Sequence, residues 1–216
     1  MAYVRAVDRE RQIVAAAISV LSEVGVPGTT LRAVAAAAQV PLGTLYYVFP
    51  TKDQLLKAVI VAVIEETSAA LRAELELDRG IEHALRHGIS SFWHKLIDNH
   101  IGIQVMQYEL IAYSVRAAGH EELALLLYES YSSLVTDFCR QAAEAAGERC
   151  AVEFDVLGRL AWAQVDGLIL QYATDPDRGR AARDLAAALD MIVLFAAPRR
   201  VTHRGTGSPA DEATQT

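Results

Sequence analysis

Hydrogen-bonding and cationic side chains are concentrated in one short stretch near the N-terminus of this 216-residue chain. Hydroxyl groups and positive charges bind the phosphate oxygens of nucleic acids, and polar or small apolar side chains meet base edges in the major groove. Thr44 and Tyr47 could donate hydrogen bonds to phosphate, and the ring of Tyr46 suits a thymine methyl group. The residues that we expect to contact DNA are Thr30, Arg32, Leu42, Gly43, Thr44, Tyr46, Tyr47 and Lys52.

The pattern around these residues predicts two short helices joined by a tight turn. Thr29 or Thr30 can cap a first helix over about 31–38, and Pro41 disfavours the helical conformation of the residue before it. A second helix follows over about 42–48, and Thr51 begins a capping box that opens a long third helix. Lys52 at the start of that helix would meet phosphate, assisted by the positive helix N-terminus. A short polar helix held in this way is how a helix-turn-helix motif presents side chains to DNA.

This block resembles the DNA-binding domain of TetR-family (tetracycline-repressor-like) regulators. The matching residues are Thr29, Thr30, the small-residue helix 34–38, the run 43–49, Lys52, Leu55 and Leu56. The resemblance covers roughly the first quarter of the chain. It implies a transcriptional regulator without enzymatic activity, in which a homodimer binds a palindromic DNA operator and is released by a small, mostly apolar effector. We expect a repressor, although the sequence does not decide between repressor and activator.

The remaining sequence predicts an all-α protein of about nine helices, because it is rich in alanine and shows no useful alternating strand pattern. Residues 1–51 are expected to form the helix-turn-helix domain, which begins with a flexible basic arm over residues 1–7. Residues 52–197 would form the helical effector-binding and dimerisation domain, with a connector helix over 52–77. The segment 198–216 lacks periodicity and is expected to be disordered.

The distribution of charge agrees with this division. The net charge is −7, yet residues 1–52 carry five basic and three acidic side chains, so the basic bias lies on the segment that would face phosphate. No apolar run approaches the roughly 18 residues that a membrane span needs, and a cytoplasmic protein without membrane contact is expected. Cys139 and Cys150 are interpreted as reduced thiols, and no cofactor is expected.

Aromatic side chains in the middle helices suggest an effector pocket. Aromatics at helical spacing are usually core, but amphipathic rings mixed with isolated polar groups can also line a largely apolar cavity. The side chains that we expect to bind ligand are Trp93, Gln104, Tyr108, Tyr113, Tyr131 and Trp162. The last two helices carry more apolar surface than one face against a monomer core needs, with examples at Gly158, Ala161, Gly167, Leu168, Ala186, Leu189 and Val193. In the family, these two helices pair with their twofold mates.

Three histidines, His83, His87 and His94, share one predicted helical face. A metal site there is conceivable, but we expect a solvated face because no metal-binding motif surrounds them. Two other functions stay open. One is a helical-bundle enzyme, although the sequence shows no nucleophile motif and no phosphate-binding loop. The other is a helical interaction protein that does not bind DNA.

Overall fold

The computed structural model describes residues 2–74, 76–96, 101–116 and 121–201. Within these ranges the chain forms nine α-helices, one 3₁₀ turn and two short strands, so the predicted all-α class is confirmed. The helices are α1 (Ala2–Gly28), α2 (Leu31–Ala37), α3 (Leu42–Val48), α4 (Lys52–Arg72), α5 (Gly80–Lys95), α6 (Ile101–Arg116), α7 (Glu121–Ala146), α8 (Phe154–Thr174) and α9 (Arg178–Ala196). The connector helix α4 therefore ends five residues before the predicted bound, and a 3₁₀ turn follows at Leu77–Arg79.

Helix α1 supports the N-terminal module through a stripe of buried residues. Ile13, Ala17 and Leu21 are almost fully buried at helical spacing. The helix is kinked at Gly25, where a φ of 70° requires a residue without a Cβ. It also begins at Ala2, so the flexible arm expected over residues 1–7 is wrong for residues 2–7, where nothing in the sequence breaks a helix.

The C-terminal domain is centred on the packing of α7 against α8. Gly158 lies at their closest approach, since a Cβ there would come within 2.6 Å of the carbonyl oxygen of Ser132 on α7. The N-terminus of α5 is held by a residue far along the chain, since the carboxylate of Glu148 accepts a hydrogen bond of 2.8 Å from the amide of Ile81. Gly80, at a φ of 89°, makes room for that carboxylate.

The C-terminal segment is ordered beyond the predicted end of the domain. A short strand β1 (Glu148–Arg149) pairs antiparallel with β2 (Arg199–Arg200), and the amide of Val201 donates to the carbonyl of Gly147 at 2.8 Å. The expectation of disorder from residue 198 is therefore wrong for 198–201, because backbone pairing with a distant loop orders a segment that has no periodic pattern of its own. Residues 202–216 lie outside the described residues.

Candidate DNA interface and effector cavity

The helix-turn-helix is held by a left-handed residue and by a brace from α1. Gln39 adopts a φ of 54° between α2 and α3, and the amide of Val40 donates to the carbonyl of Ala35 at 3.0 Å. Gln12 on α1 donates from Nε2 to the carbonyl of Ala38 at 2.8 Å. Leu45 of α3 is fully buried, which fixes the rotation of α3 and turns its opposite face outward. The predicted bounds of this motif agree with the observed ones to within one residue.

The outward face of α3 carries two of the predicted DNA contacts. Tyr47 is 89% exposed and Tyr46 is 49% exposed, which is unusual for side chains with large apolar rings. Gly43 is also exposed, and a Cβ built there would meet nothing within 4 Å, so another molecule could approach the backbone closely. Leu42 and Thr44 are half-buried at the edge of the same helix.

Thr30 and Arg32 flank this face from α2. The hydroxyl oxygen of Thr30 caps α2 by accepting a hydrogen bond of 3.1 Å from the amide of Ala33. Its own proton is not used by that bond and could be donated to a phosphate oxygen. Arg32 is exposed and forms no ion pair with any residue that the structure describes. Both residues therefore retain the capacity to contact a DNA backbone.

Lys52 is half-buried and makes a contact that the sequence did not predict. Its Nζ donates to the carbonyl of Val26 at 2.6 Å and lies 5.9 Å from the centre of the Tyr113 ring. Burial lowers the pKa of this ammonium group, an effect opposed by the nearby charge of Asp53. A phosphate contact by Lys52 stays a prediction, and it would have to share the ammonium with this carbonyl.

The same backbone unit is bound from a second side by α6. Oε2 of Glu109 accepts a hydrogen bond of 2.8 Å from the amide of Val26. We call this arrangement the Val26 clamp: the amide is bound by Glu109 of α6 and the carbonyl by Lys52 of α4. It joins the kink of α1 at Gly25 to the two helices that lead into the C-terminal domain. No local signal predicts it, since Glu109 and Val26 are 83 positions apart.

A cavity of about 340 Å³ lies among α4, α5, α6 and α7. Its wall is mostly apolar, with Thr67, Gln104, Gln107 and Tyr131 as buried or half-buried polar groups. Gln104 is 1% exposed and Gln107 is 3% exposed. A smaller apolar pocket of about 40 Å³ lies on the other side of Tyr131, where that ring stacks on Trp162 with centroids 4.0 Å apart.

The structure thus brings together three of the six predicted ligand-binding residues. Gln104, Tyr131 and Trp162 line these two spaces, and Gln107 and Thr67 are wall residues that the sequence analysis did not select. Their signal was present as isolated polar residues on otherwise apolar helical stretches.

The other three predicted residues lie away from the cavity and have structural contacts. Trp93 is buried edge-on against the ring of Tyr172, with centroids 6.1 Å apart. The hydroxyl of Tyr108 donates to Asp166, 2.9 Å from the carbonyl oxygen and 3.0 Å from Oδ1. Burial, with the Asp166 charge, raises the pKa of Tyr108 far above its ordinary value. Tyr113 lies beside the Val26 clamp. Long-range packing, which spacing along one helix does not reveal, separates these three from the cavity.

The three histidines do not converge on a common point. The rings of His83 and His87 stack at 5.2 Å, and Nδ1 of His94 lies 2.6 Å from the carbonyl oxygen of Ser90 one turn earlier. Burial lowers the pKa of His83, and the neighbouring positive charge of Arg79 adds to this effect. Across the described residues, no three potential metal ligands lie close enough together to hold an ion.

Helices α8 and α9 present large apolar side chains to solvent. The exposed ones are Leu160, Leu170, Met191, Leu194 and Phe195. Leu160, Met191 and Phe195 border a groove of about 440 Å³ between the two helices. By contrast, Gly158, Ala161 and Leu189 are buried in the monomer core, so these three were wrongly counted as surplus surface. Within the described ranges, none of the helices is long and apolar enough to cross a membrane.

Known proteins share both the N-terminal module and the whole fold. A sequence model described as "Bacterial regulatory proteins, tetR family" matches residues 13–59. Over 174 residues the chain is 24% identical to the HTH-type nicotine-responsive transcriptional repressor HdnoR of Paenarthrobacter nicotinovorans, which covers 81% of this chain and 88% of that protein. The fold is similar to Salmonella enterica GusR, with a TM-score of 0.67 at 20% identity over 88% of this chain and 96% of that chain. It is also similar to a member of the TetR family from Streptomyces coelicolor A3, with a TM-score of 0.65 at 23% identity over 87% of this chain and 98% of that chain.

These likenesses agree with the geometry of the N-terminal module, whose buried face fixes α3 and whose outward face carries exposed tyrosines. Residues 13–59 thus match the tetR family of bacterial regulatory proteins, and the chain has the fold of solved TetR-type regulators over most of its length.

Proposed function

We propose that this protein is a homodimeric repressor that binds a palindromic operator and is released by a small, mostly apolar effector. The observation that carries the proposal is the cavity of about 340 Å³ among α4–α7, because its wall includes α6, which also forms the Val26 clamp on the DNA-binding module. The similar protein HdnoR is a repressor, which supports repression rather than activation. Its name also records a response to a small molecule, nicotine.

The proposed DNA contacts use the outward face of α3 and its flanks. Tyr47, Tyr46 and Gly43 would lie against the major groove, with Thr30 and Arg32 on adjacent phosphates. Leu42 and Thr44 would contribute from the edge of α3, and Lys52 at the start of α4. Arginine recognises a guanine base by donating two hydrogen bonds to its major-groove edge, and few of these side chains can do the same. DNA shape would therefore contribute to specificity.

The proposed dimer uses the exposed apolar face of α8 and α9. Contiguous exposed apolar surface on a soluble protein marks an interaction site, and a twofold pair places the same surface on both partners. Leu194 is 80% exposed although it belongs to a helix that packs against the core on its other face. Two recognition helices in a twofold dimer would address half-sites about 34–36 Å apart.

The proposed switch acts through α4 and α6. Both helices line the cavity, and both bind Val26 at the kink of α1. An effector that shifts α6 relative to α4 would therefore move the helix that braces the turn of the DNA-binding motif. Displacement by a few Å would break simultaneous contact with two half-sites. By linkage, an effector that weakens operator binding tenfold must itself bind about tenfold more weakly to the DNA complex.

The experiment that tests this function begins with selection of bound sequences from a random duplex library by the purified protein. We expect a palindromic sequence, bound by a dimer with a strong salt dependence. A metabolite screen by thermal shift, followed by measurement of operator release, then tests the effector. Recovery of no preferred sequence would reject the DNA-binding proposal. A stabilising compound that leaves operator affinity unchanged would reject the switch alone.

A further inference from the structure

Two buried glutamines in the effector cavity carry polar atoms that the protein does not satisfy. We propose that the effector is an uncharged small molecule in which an N–H donor lies beside a carbonyl acceptor on an apolar body, as in a lactam or a secondary amide. This inference rests on the effector function proposed above and narrows it to a chemical class.

The first unsatisfied atom is an acceptor. Within the part of the chain that the structure describes, Oε1 of Gln107 has no hydrogen-bond partner, although the residue is only 3% exposed. Nε2 of the same side chain donates to the hydroxyl of Tyr131 at 3.1 Å. A buried acceptor left unpaired is costly, so a ligand that supplies a donor there gains affinity.

The orientation of this amide is given by its hydrogen bond to Tyr131. The Tyr131 hydroxyl accepts from Nε2 of Gln107, which places the nitrogen of Gln107 toward Tyr131 and leaves its oxygen for the cavity. The Thr67 hydroxyl on the same wall already donates its single proton to the carbonyl of Val63 at 2.8 Å.

The second unsatisfied atom is a donor. Nε2 of Gln104 neighbours the Tyr108 hydroxyl but makes no hydrogen bond of good geometry with any described residue, and this side chain is 1% exposed. Gln104 and Gln107 are three residues apart on α6 and therefore lie side by side on one helical face. A free N–H next to a free C=O on this wall is complementary to the adjacent C=O and N–H of a lactam or secondary amide.

The charges at the rim of the cavity disfavour an anionic ligand. The ammonium of Lys95 is paired with the carboxylate of Glu74 at 2.7 Å. Glu66 lines the cavity and is exposed, and it has no ion pair with a residue that the structure describes. The uncompensated charge at the rim is therefore negative. Most of the remaining wall is apolar, formed by Val63, Ala70, Leu71, Phe92, Leu96 and Ile103.

Two probes that differ by one methyl group test this inference. Quinolin-2(1H)-one presents the N–H and C=O pair, and 1-methylquinolin-2(1H)-one keeps the carbonyl and the rings but lacks the donor. Binding of both to the full-length protein is measured by isothermal titration calorimetry and by thermal shift. We expect the N-methyl compound to bind on the order of 10- to 100-fold more weakly, since it leaves Gln107 unpaired.

Variants then assign that preference to the wall. Gln107→Leu should weaken the lactam and bring the two affinities within about threefold, and Gln104→Leu should weaken both compounds because both keep the carbonyl. Gln141→Leu, a glutamine on α7 that bonds Arg72 outside the cavity, should retain the full preference. Thermal unfolding of each variant without ligand confirms that it is folded.

The inference is overturned if the wild-type protein binds both probes equally, if Gln107→Leu keeps the preference, or if neither probe binds. Operator binding is measured on the same preparations. A protein that binds its operator and is released by some other compound, while showing no lactam preference, refutes the chemical class and leaves the regulatory function intact.

Discussion

The Val26 clamp gives the sharpest test of how the two domains are coupled. Glu109→Ala removes the only described acceptor for the amide of Val26, a residue that is fully buried. That amide follows the kink at Gly25, where a new helical segment begins and no intrahelical partner is available. A hydrogen bond to a charged group contributes about 1.5–3 kcal/mol, and an unpaired buried donor costs a similar amount.

We therefore expect Glu109→Ala to lower the free energy of unfolding by about 1.5–3 kcal/mol, which in a chain of this size corresponds to a fall in Tm of about 3–12 °C. Chemical denaturation and differential scanning calorimetry measure both quantities. Glu23→Ala, which removes an exposed carboxylate from α1, is the matched control and should change the unfolding free energy by less than about 0.5 kcal/mol.

The same substitution should uncouple effector from operator. If a tenfold release in the wild-type protein corresponds to about 1.4 kcal/mol of coupling, the loss of the α6 contact should reduce the release to less than about threefold. Operator affinity without effector should change less than the release does. A variant that keeps both its stability and its tenfold release would show that the clamp neither stabilises the fold nor carries the signal.

The remaining predictions concern DNA contact, helix packing and assembly. Tyr47→Phe should weaken operator binding by about 0.5–1.5 kcal/mol without changing Tm, and an unaltered Kd would remove its hydroxyl from the interface. Lys52→Ala should reduce the slope of log binding constant against log salt concentration by about one. An unchanged slope would show that Lys52 binds the Val26 carbonyl and not a phosphate. Gly158→Ala should destabilise the fold by about 1–3 kcal/mol because α7 blocks a Cβ, while Gly102→Ala, at an open position of α6, should be neutral or stabilising in the same denaturation assay. Leu194→Glu should give monomers of normal helical content that do not bind the operator, and a dimer by light scattering would move the interface elsewhere.

Local sequence signals were sufficient for the helices and for the DNA-binding motif. The cap at Thr30, the break before Pro41 and the cap at Thr51 each act within four residues, so the bounds of α2, α3 and the start of α4 could be predicted closely. Tyr46 and Tyr47 were expected to contact DNA, and both are exposed in the structure while Leu45 of the same helix is buried. The resemblance to a family could be recognised from this stretch because the motif that carries it is local.

The cavity and the coupling between domains were decided by tertiary structure. Gln107 is hydrogen-bonded to Tyr131, 24 positions away, and Val26 to Glu109, 83 positions away. Helical periodicity does not specify which distant residues pair in this way. Spacing on one helix could not separate Tyr108, bound to Asp166, from Gln104, which faces the cavity. The order of residues 198–201 likewise depends on a strand partner about 50 positions earlier. The sequence by itself determined the fold class, the helix-turn-helix motif and the resemblance to a family, whereas packing between distant helices determined which buried polar groups were left unpaired.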